Sequence, residues 1–197
     1  PEPFGLPEDA CREDGRPLAF CSLGTLQGFR AGLLHTIAES VAAAGFRPVI
    51  AHGGLLSVDA AASLQGDPIV AGWLPQRALL ARSAIAVVHG GLNTVLDALA
   101  AGVPLVVIPL AYEQGAISAR VAASGAGLVI KARRALQGLS LAIRRMRADP
   151  AFHKRATWLA GEIARAGGAA RAADLIETLI SESPAGRIKA LPVSGQP

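Results

Sequence analysis

A chain of 197 residues, 51% of them apolar and 17% charged, is long enough to bury the core of one domain. With 4% aromatic residues and a formal net charge of +4, it lacks the interleaved rings and charges of a single-strand nucleic-acid groove, and its mild positive balance suits a small anionic ligand. Two cysteines, Cys11 and Cys21, exclude a disulfide framework, and no apolar run approaches a membrane span, so a reduced, cytoplasmic setting is expected.

Residues 1–16 are rich in proline, glycine and acids, lack the basic and apolar regions of a signal peptide, and read as a linker entering the domain. A start at Pro1 in place of Met marks the chain as an expected piece of a longer one. Residues 17–23 form the first predicted strand, with Ser22, Gly24 and Thr25 in a turn at its carboxyl end. A helix over 33–44 closes at Gly45, and strands follow over 47–51 and 69–71, the latter just before Trp73. Residues 79–81 make a helical turn. The apolar segment 84–88 reads as a strand buried on both faces.

Gly90 and Gly91 end that strand and permit a tight turn with close backbone approach to a ligand. Asn93 and Thr94 are good N-cap types, and Val95, Leu96, Leu99 and Ala100 give helical spacing up to the stop at Gly102 and Pro104. Free N–H groups and the dipole at such a helix start attract phosphate, and His89 stands ready to add a donor. A strand–turn–helix of this kind also occurs without any ligand. A further strand over 105–108 ends at Pro109 and leads into Tyr112, Glu113 and Gln114, the edge of an open sheet where ligands bind. A carboxylate beside an amide suits the hydroxyls of a sugar, although Glu113 alone reads equally well as a solvated loop acid.

A helix over 116–124 closes at Gly125 and Gly127, and residues 128–130 are the last strand. Helices over 136–147, 152–166 and 169–181 complete a domain spanning 17–182, and 183–197 reads as a disordered tail. Strands alternating with helices at this spacing predict an α/β fold, a doubly wound parallel sheet. The basic run 131–155 reads first as a solvated helix face and second as a peripheral contact with an anionic membrane surface. His-Gly-Gly recurs at 52–54, taken here as a coincidence of strand-end chemistry, and His35, His52 and His153 carry no motif.

Gly72-Trp-Leu-Pro-Gln76, His89-Gly-Gly-Leu-Asn-Thr94 and Tyr112-Glu-Gln114 together resemble the donor-binding signature of the family 1 glycosyltransferases, the secondary product glycosyltransferase box of plants. Spacing from His89 to Gln114 agrees with the plant pattern, while the stretch from Trp73 to His89 is slightly shorter and Glu113 replaces a more usual Asp. Both departures are familiar from bacterial members. Segments 19–28, 51–54 and 91–98 extend the likeness toward the bacterial zeaxanthin glucosyltransferases, and it runs from about Gly15 to about Ile180.

The resemblance implies the C-terminal, donor-binding domain of the GT-B fold, in which two Rossmann-like domains flank a cleft. By resemblance Trp73 stacks on uracil, which a packing role for a lone Trp otherwise rivals, and Gln76 contacts base or ribose. Asp97 accepts from the ribose, His89, Gly90, Gly91, Asn93 and Thr94 hold the diphosphate, and Glu113 and Gln114 hold the hexose. Ser22, Gly24 and Thr25 complete the expected donor site. No metal and no cofactor is implied beyond the UDP-sugar itself. The family's general base, a histidine, lies on the N-terminal acceptor domain, so no catalytic residue is expected in this chain. It is expected to be inactive alone, either as half of an inverting hexosyltransferase acting on a small lipophilic acceptor such as a carotenoid, or as a stand-alone sugar-nucleotide-binding subunit with a separate acceptor chain. A nicotinamide-binding Rossmann domain is disfavoured, because the first strand ends in Ser22-Leu-Gly-Thr-Leu-Gln in place of Gly-x-Gly-x-x-Gly. The Trp73–Gln76 signature argues likewise against a sugar-nucleotide epimerase.

Overall fold

The computed structural model describes residues 15–182. Residues 1–14 of the expected linker over 1–16, and the tail over 183–197, lie outside the described residues. Six parallel strands form one sheet: β1 (Leu18–Ser22), β2 (Arg47–Ala51), β3 (Ile69–Ala71), β4 (Ser83–Val88), β5 (Leu105–Val107) and β6 (Gly127–Val129). Their order is β3-β2-β1-β4-β5-β6, the doubly wound arrangement that the alternation of elements predicts. Every residue of β1 is buried, as are Ile85 to Val88 of β4, because a parallel sheet is covered on both faces.

The helices are α1 (Ala31–Ala43), α2 (Val58–Ala62), α3 (Gln76–Leu80), α4 (Leu92–Ala100), α5 (Gln114–Ser124), α6 (Ala135–Ala148), α7 (Pro150–Arg165) and α8 (Gly168–Glu182), with a 3-10 turn over Ala132–Arg134. Helix α1 buries Leu34, Ile37, Ala38 and Val41 at 3–4-residue spacing into a core shared with Leu139 and Ile143 of α6. Arg147 locks α6 onto the α1 end, stacking 5.3 Å over the Phe46 ring and donating to the Ala44 carbonyl.

Four sequence expectations change. Helix α2 was not foreseen; Ser57 caps it, its Oγ accepting from the Ala60 N–H at 3.2 Å. The turn expected over 79–81 is helix α3, which begins earlier, so Gln76 opens it. Helix α4 starts at Leu92 with Gly91 as its N-cap, so Asn93 and Thr94 lie within the first turn and are not caps. Its buried residues are Val95, Ala98 and Leu99, whereas Leu96 and Ala100 face solvent. Gly125 alone ends α5, in the left-handed conformation at φ 76, and Gly127 belongs to β6.

The chain divides into two compact units, one ending at Gly161 and the other starting at Glu162, inside what the sequence reads as a single domain. The first holds the sheet. The second comprises the end of α7 and α8, whose Leu175, Ile176, Leu179 and Ile180 recur at helical spacing and are exposed.

Candidate functional site

Between β1 and β4 the strand order reverses, and a crevice opens there beyond the carboxyl ends of the strands. The cleft has a volume of about 530 Å³, within the range of small-molecule sites. Ser22, Gly24 and Thr25 reach it from the end of β1, Trp73 and Gln76 from the end of β3, and His89, Gly91, Asn93 and Thr94 from the end of β4. Nine of the residues expected from sequence therefore converge on one cavity. Gly72, Leu74, Pro75 and Leu92, which belong to the quoted signature, also line it; Phe20, Ala51 and Gly53 line it too and were missed, being indistinguishable in sequence from core or turn residues. Gly53 belongs to the second His-Gly-Gly, so that repeat does contribute to the cleft.

Helix α4 aims its start at the cavity. Its first backbone bond runs from the Val95 N–H to the Gly91 carbonyl, leaving the N–H groups of Leu92, Asn93 and Thr94 without intrahelical acceptors. The His89 imidazole lies against two glycines: a Cβ on Gly24 or on Gly91 would stand 2.7 Å from its Nε2. Its Nδ1 is buried and makes no hydrogen bond. Burial dominates and pushes the His89 pKa below the usual histidine value; Ser22 and the charge of Glu113 oppose it.

Ser22 ties the loops together, its Oγ donating to the Ala51 carbonyl at 3.0 Å and accepting from the Gly24 N–H at 3.1 Å. His52 is buried, and its Nδ1 accepts from the Leu56 N–H at 3.0 Å, which requires an unprotonated Nδ1. Burial lowers its pKa as well. Trp73 keeps 54% of its surface exposed, as an indole needs if a flat base is to stack on it. Gln76 donates through Nε2 to Asp97 Oδ2 at 2.7 Å and accepts from Thr94 Oγ1 at 3.3 Å, while Arg77 Nε donates to Asp97 Oδ1 at 3.0 Å.

Four expected site residues do not line the cavity. Gly90, at φ 93, serves close packing: a Cβ there would meet Val107 Cγ1 at 2.9 Å and Ser118 Oγ at 3.1 Å. Asp97 reaches the cleft only through Gln76. Glu113 is exposed at the start of α5, after Tyr112, whose φ of 54 is uncommon for a ring-bearing residue, and its charge acts on His89. Gln114 is buried, its Oε1 accepting from the Leu110 N–H at 2.8 Å and the Ala111 N–H at 3.0 Å.

Residues 16–162 match the family described as UDP-glucoronosyl and UDP-glucosyl transferase. The chain belongs to that family. This UDP-glycosyltransferase chain is 38% identical over 169 residues to the zeaxanthin glucosyltransferase of Pseudescherichia vulneris, covering 85% of itself and 41% of the relative. It is 34% identical to the demethyllactenocin mycarosyltransferase of Streptomyces fradiae, covering 86% of itself and 37% of that enzyme. Among solved structures it superposes on a calicheamicin glycosyltransferase with a TM-score of 0.77 and 31% identity, covering 86% of itself and 44% of that chain. The chain thus spans about two-fifths of the relatives it matches, and its sheet is one Rossmann-like domain of the GT-B architecture.

Because burial holds His89 neutral, a diphosphate placed beside it raises its pKa, and binding takes up a proton. The affinity of this cleft for a diphosphate anion is therefore expected to rise as pH falls below the ordinary histidine value of 6.5, and to flatten in His89→Gln; titration calorimetry with a diphosphate probe across pH checks this. Stability of the free chain runs the other way. With lowered pKa values, His52 and His89 contribute fully above pH 6.5, and their contribution is lost as pH falls below it.

Proposed function

We propose that this chain is the donor-binding half of an inverting, metal-independent glycosyltransferase that moves glucose from UDP-glucose to a hydroxyl of a small lipophilic acceptor such as a carotenoid. The observation that carries the reading is the cleft at the strand-order reversal, where the open start of α4, the His89 edge and the Trp73 face surround one cavity. The zeaxanthin glucosyltransferase relatives support the sugar and the lipophilic acceptor. In this reading uracil stacks on Trp73, Gln76 meets the ribose, and the diphosphate lies against the N–H groups of Leu92, Asn93 and Thr94.

During transfer the acceptor oxygen attacks the anomeric carbon as the bond to the β-phosphate oxygen breaks. The electron pair leaves on the diphosphate, where the α4 start and His89 stabilise it. The acceptor's proton passes to a base on an acceptor half, joined in cis or supplied by a partner chain. No metal or cofactor takes part beyond the sugar nucleotide.

Asp97 shapes ribose recognition through Gln76, whose amide it orients. Asp97→Ala is expected to weaken UDP by about 1–3 kcal/mol and to erase any preference over dUDP, as read by calorimetric titration with both nucleotides. An unchanged preference removes the pair from the site.

Glu113 and Gln114 separate by experiment. Glu113→Ala is expected to cost affinity for UDP-glucose more than for UDP. Gln114→Ala leaves the half-buried N–H groups of Leu110 and Ala111 without their acceptor, and two lost hydrogen bonds are expected to cost about 1–3 kcal/mol of folding stability in denaturant melts. Equal losses for both ligands in Glu113→Ala would remove the carboxylate from the sugar site.

A further inference from the structure

At the β6 edge of the sheet a second groove of about 450 Å³ runs between β6 and α6. Its floor is apolar, from Leu128, Ile130 and Ala142, and Gly138 keeps its middle open. Leu141 stands on its lip with 68% of its surface exposed. Lys131, Arg134 and Arg145 rim it, and the exposed Arg133 and Arg144 lie next to them in sequence. From Ala126 to Ala148 the chain contains no aspartate or glutamate. No ion pair to these five cations occurs among the described residues; Arg145 lies 5.9 Å from the Phe152 ring. The groove shares no lining residue with the donor cleft.

We infer that this groove is a docking surface for an anionic lipid bilayer, with Leu141 inserted at the acyl boundary and the five cations on headgroup phosphates. A protein partner seated in the groove would have to desolvate the three cations that line it, Lys131, Arg134 and Arg145, and match them with carboxylates. A headgroup layer imposes no such demand: long basic side chains keep their charges in the hydrated phosphate zone while their stems and Leu141 face the apolar boundary. The arrangement, one exposed apolar side chain on a groove lined by three cations, matches that interface in both polarity and charge sign. The inference stands on this face alone and is independent of the donor chemistry.

Flotation of the full chain with vesicles tests it. The chain is expected to float with phosphatidylglycerol-containing vesicles, to release as salt is raised, and to stay behind with pure phosphatidylcholine. Arg134→Gln and Arg145→Gln are each expected to lower the partition coefficient about fivefold. Leu141→Asp is expected to lower it further, at an unchanged unfolding midpoint. In Leu141→Trp, added to the native Trp73 and Trp158, lipids brominated near the headgroup end of the chain are expected to quench the new indole. Equal flotation with neutral vesicles, parental partition of Leu141→Asp, or no quenching of the inserted indole would each overturn the proposal.

Discussion

Gly91→Val is expected to lower UDP affinity at least about 100-fold while leaving the chain folded, the loss of two charge-assisted contacts at about 1.5–3 kcal/mol each. Gly91 has φ −63 and ψ 134, a backbone that any residue adopts, so valine brings no conformational strain. What it brings is bulk. Its Cβ would stand 2.7 Å from His89 Nε2 and 2.8 Å from Cε1, and its methyl groups would extend over the first N–H groups of α4. Both the imidazole and the helix start are thereby closed to a diphosphate. Gly90→Val is the contrasting variant. It combines φ 93 with contact against Val107, so it is expected to unfold the domain and lower the melting temperature sharply. Calorimetric titration with UDP alongside thermal melts separates the two effects. Parental UDP affinity in folded Gly91→Val would put the phosphate elsewhere.

The second large effect is an absence. The 197-residue chain is expected to bind UDP-glucose, hydrolyse it slowly at most, and form no glycoside with any hydroxylated acceptor. Transfer needs a base within about 2.6–3.2 Å of the acceptor hydroxyl. His35 lies on α1 beside Glu39 at 3.3 Å, His52 is buried and engaged with Leu56, and His153 is exposed on α7; none of these lines the cleft. His89 does line it, and the proposed diphosphate occupies it. Supplying an acceptor half, fused or as a separate chain, is expected to restore transfer, read by product chromatography. Robust turnover by the chain alone would place the base and the acceptor site within these residues.

The sheet was legible because apolar runs such as 84–88 and 105–108 alternate with helical spacing, a local signal. The β4–α4 junction was legible because a glycine pair between strand and helix changes what the backbone can do. Helix α2 was not, since Val58-Asp-Ala-Ala-Ala62 has no buried face to create a pattern. The α4 cap was misplaced because Asn93 and Thr94 favour caps in isolation, whereas Gly91 already has the extended backbone a cap needs. Gln114 shows the limit of residue type: its Oε1 accepts from the Leu110 and Ala111 N–H groups, a structural task that an amide read only as a sugar ligand does not announce. Phe20, Ala51 and Gly53 join the cleft only because strand order brings β1, β2, β3 and β4 together there, a non-local fact. The Arg77–Asp97 pair, 20 residues apart, is non-local in the same way.

In the proposed function the cleft between the ends of β1 and β4 receives a nucleoside diphosphate. Amide chemical-shift mapping of the labelled chain during titration with UDP tests it directly. Saturable shifts are expected at residues 22–25, 72–76 and 89–94, with α6 and α7 silent. Saturable binding that leaves 89–94 unmoved, or shifts centred on the β6 edge, would contradict it.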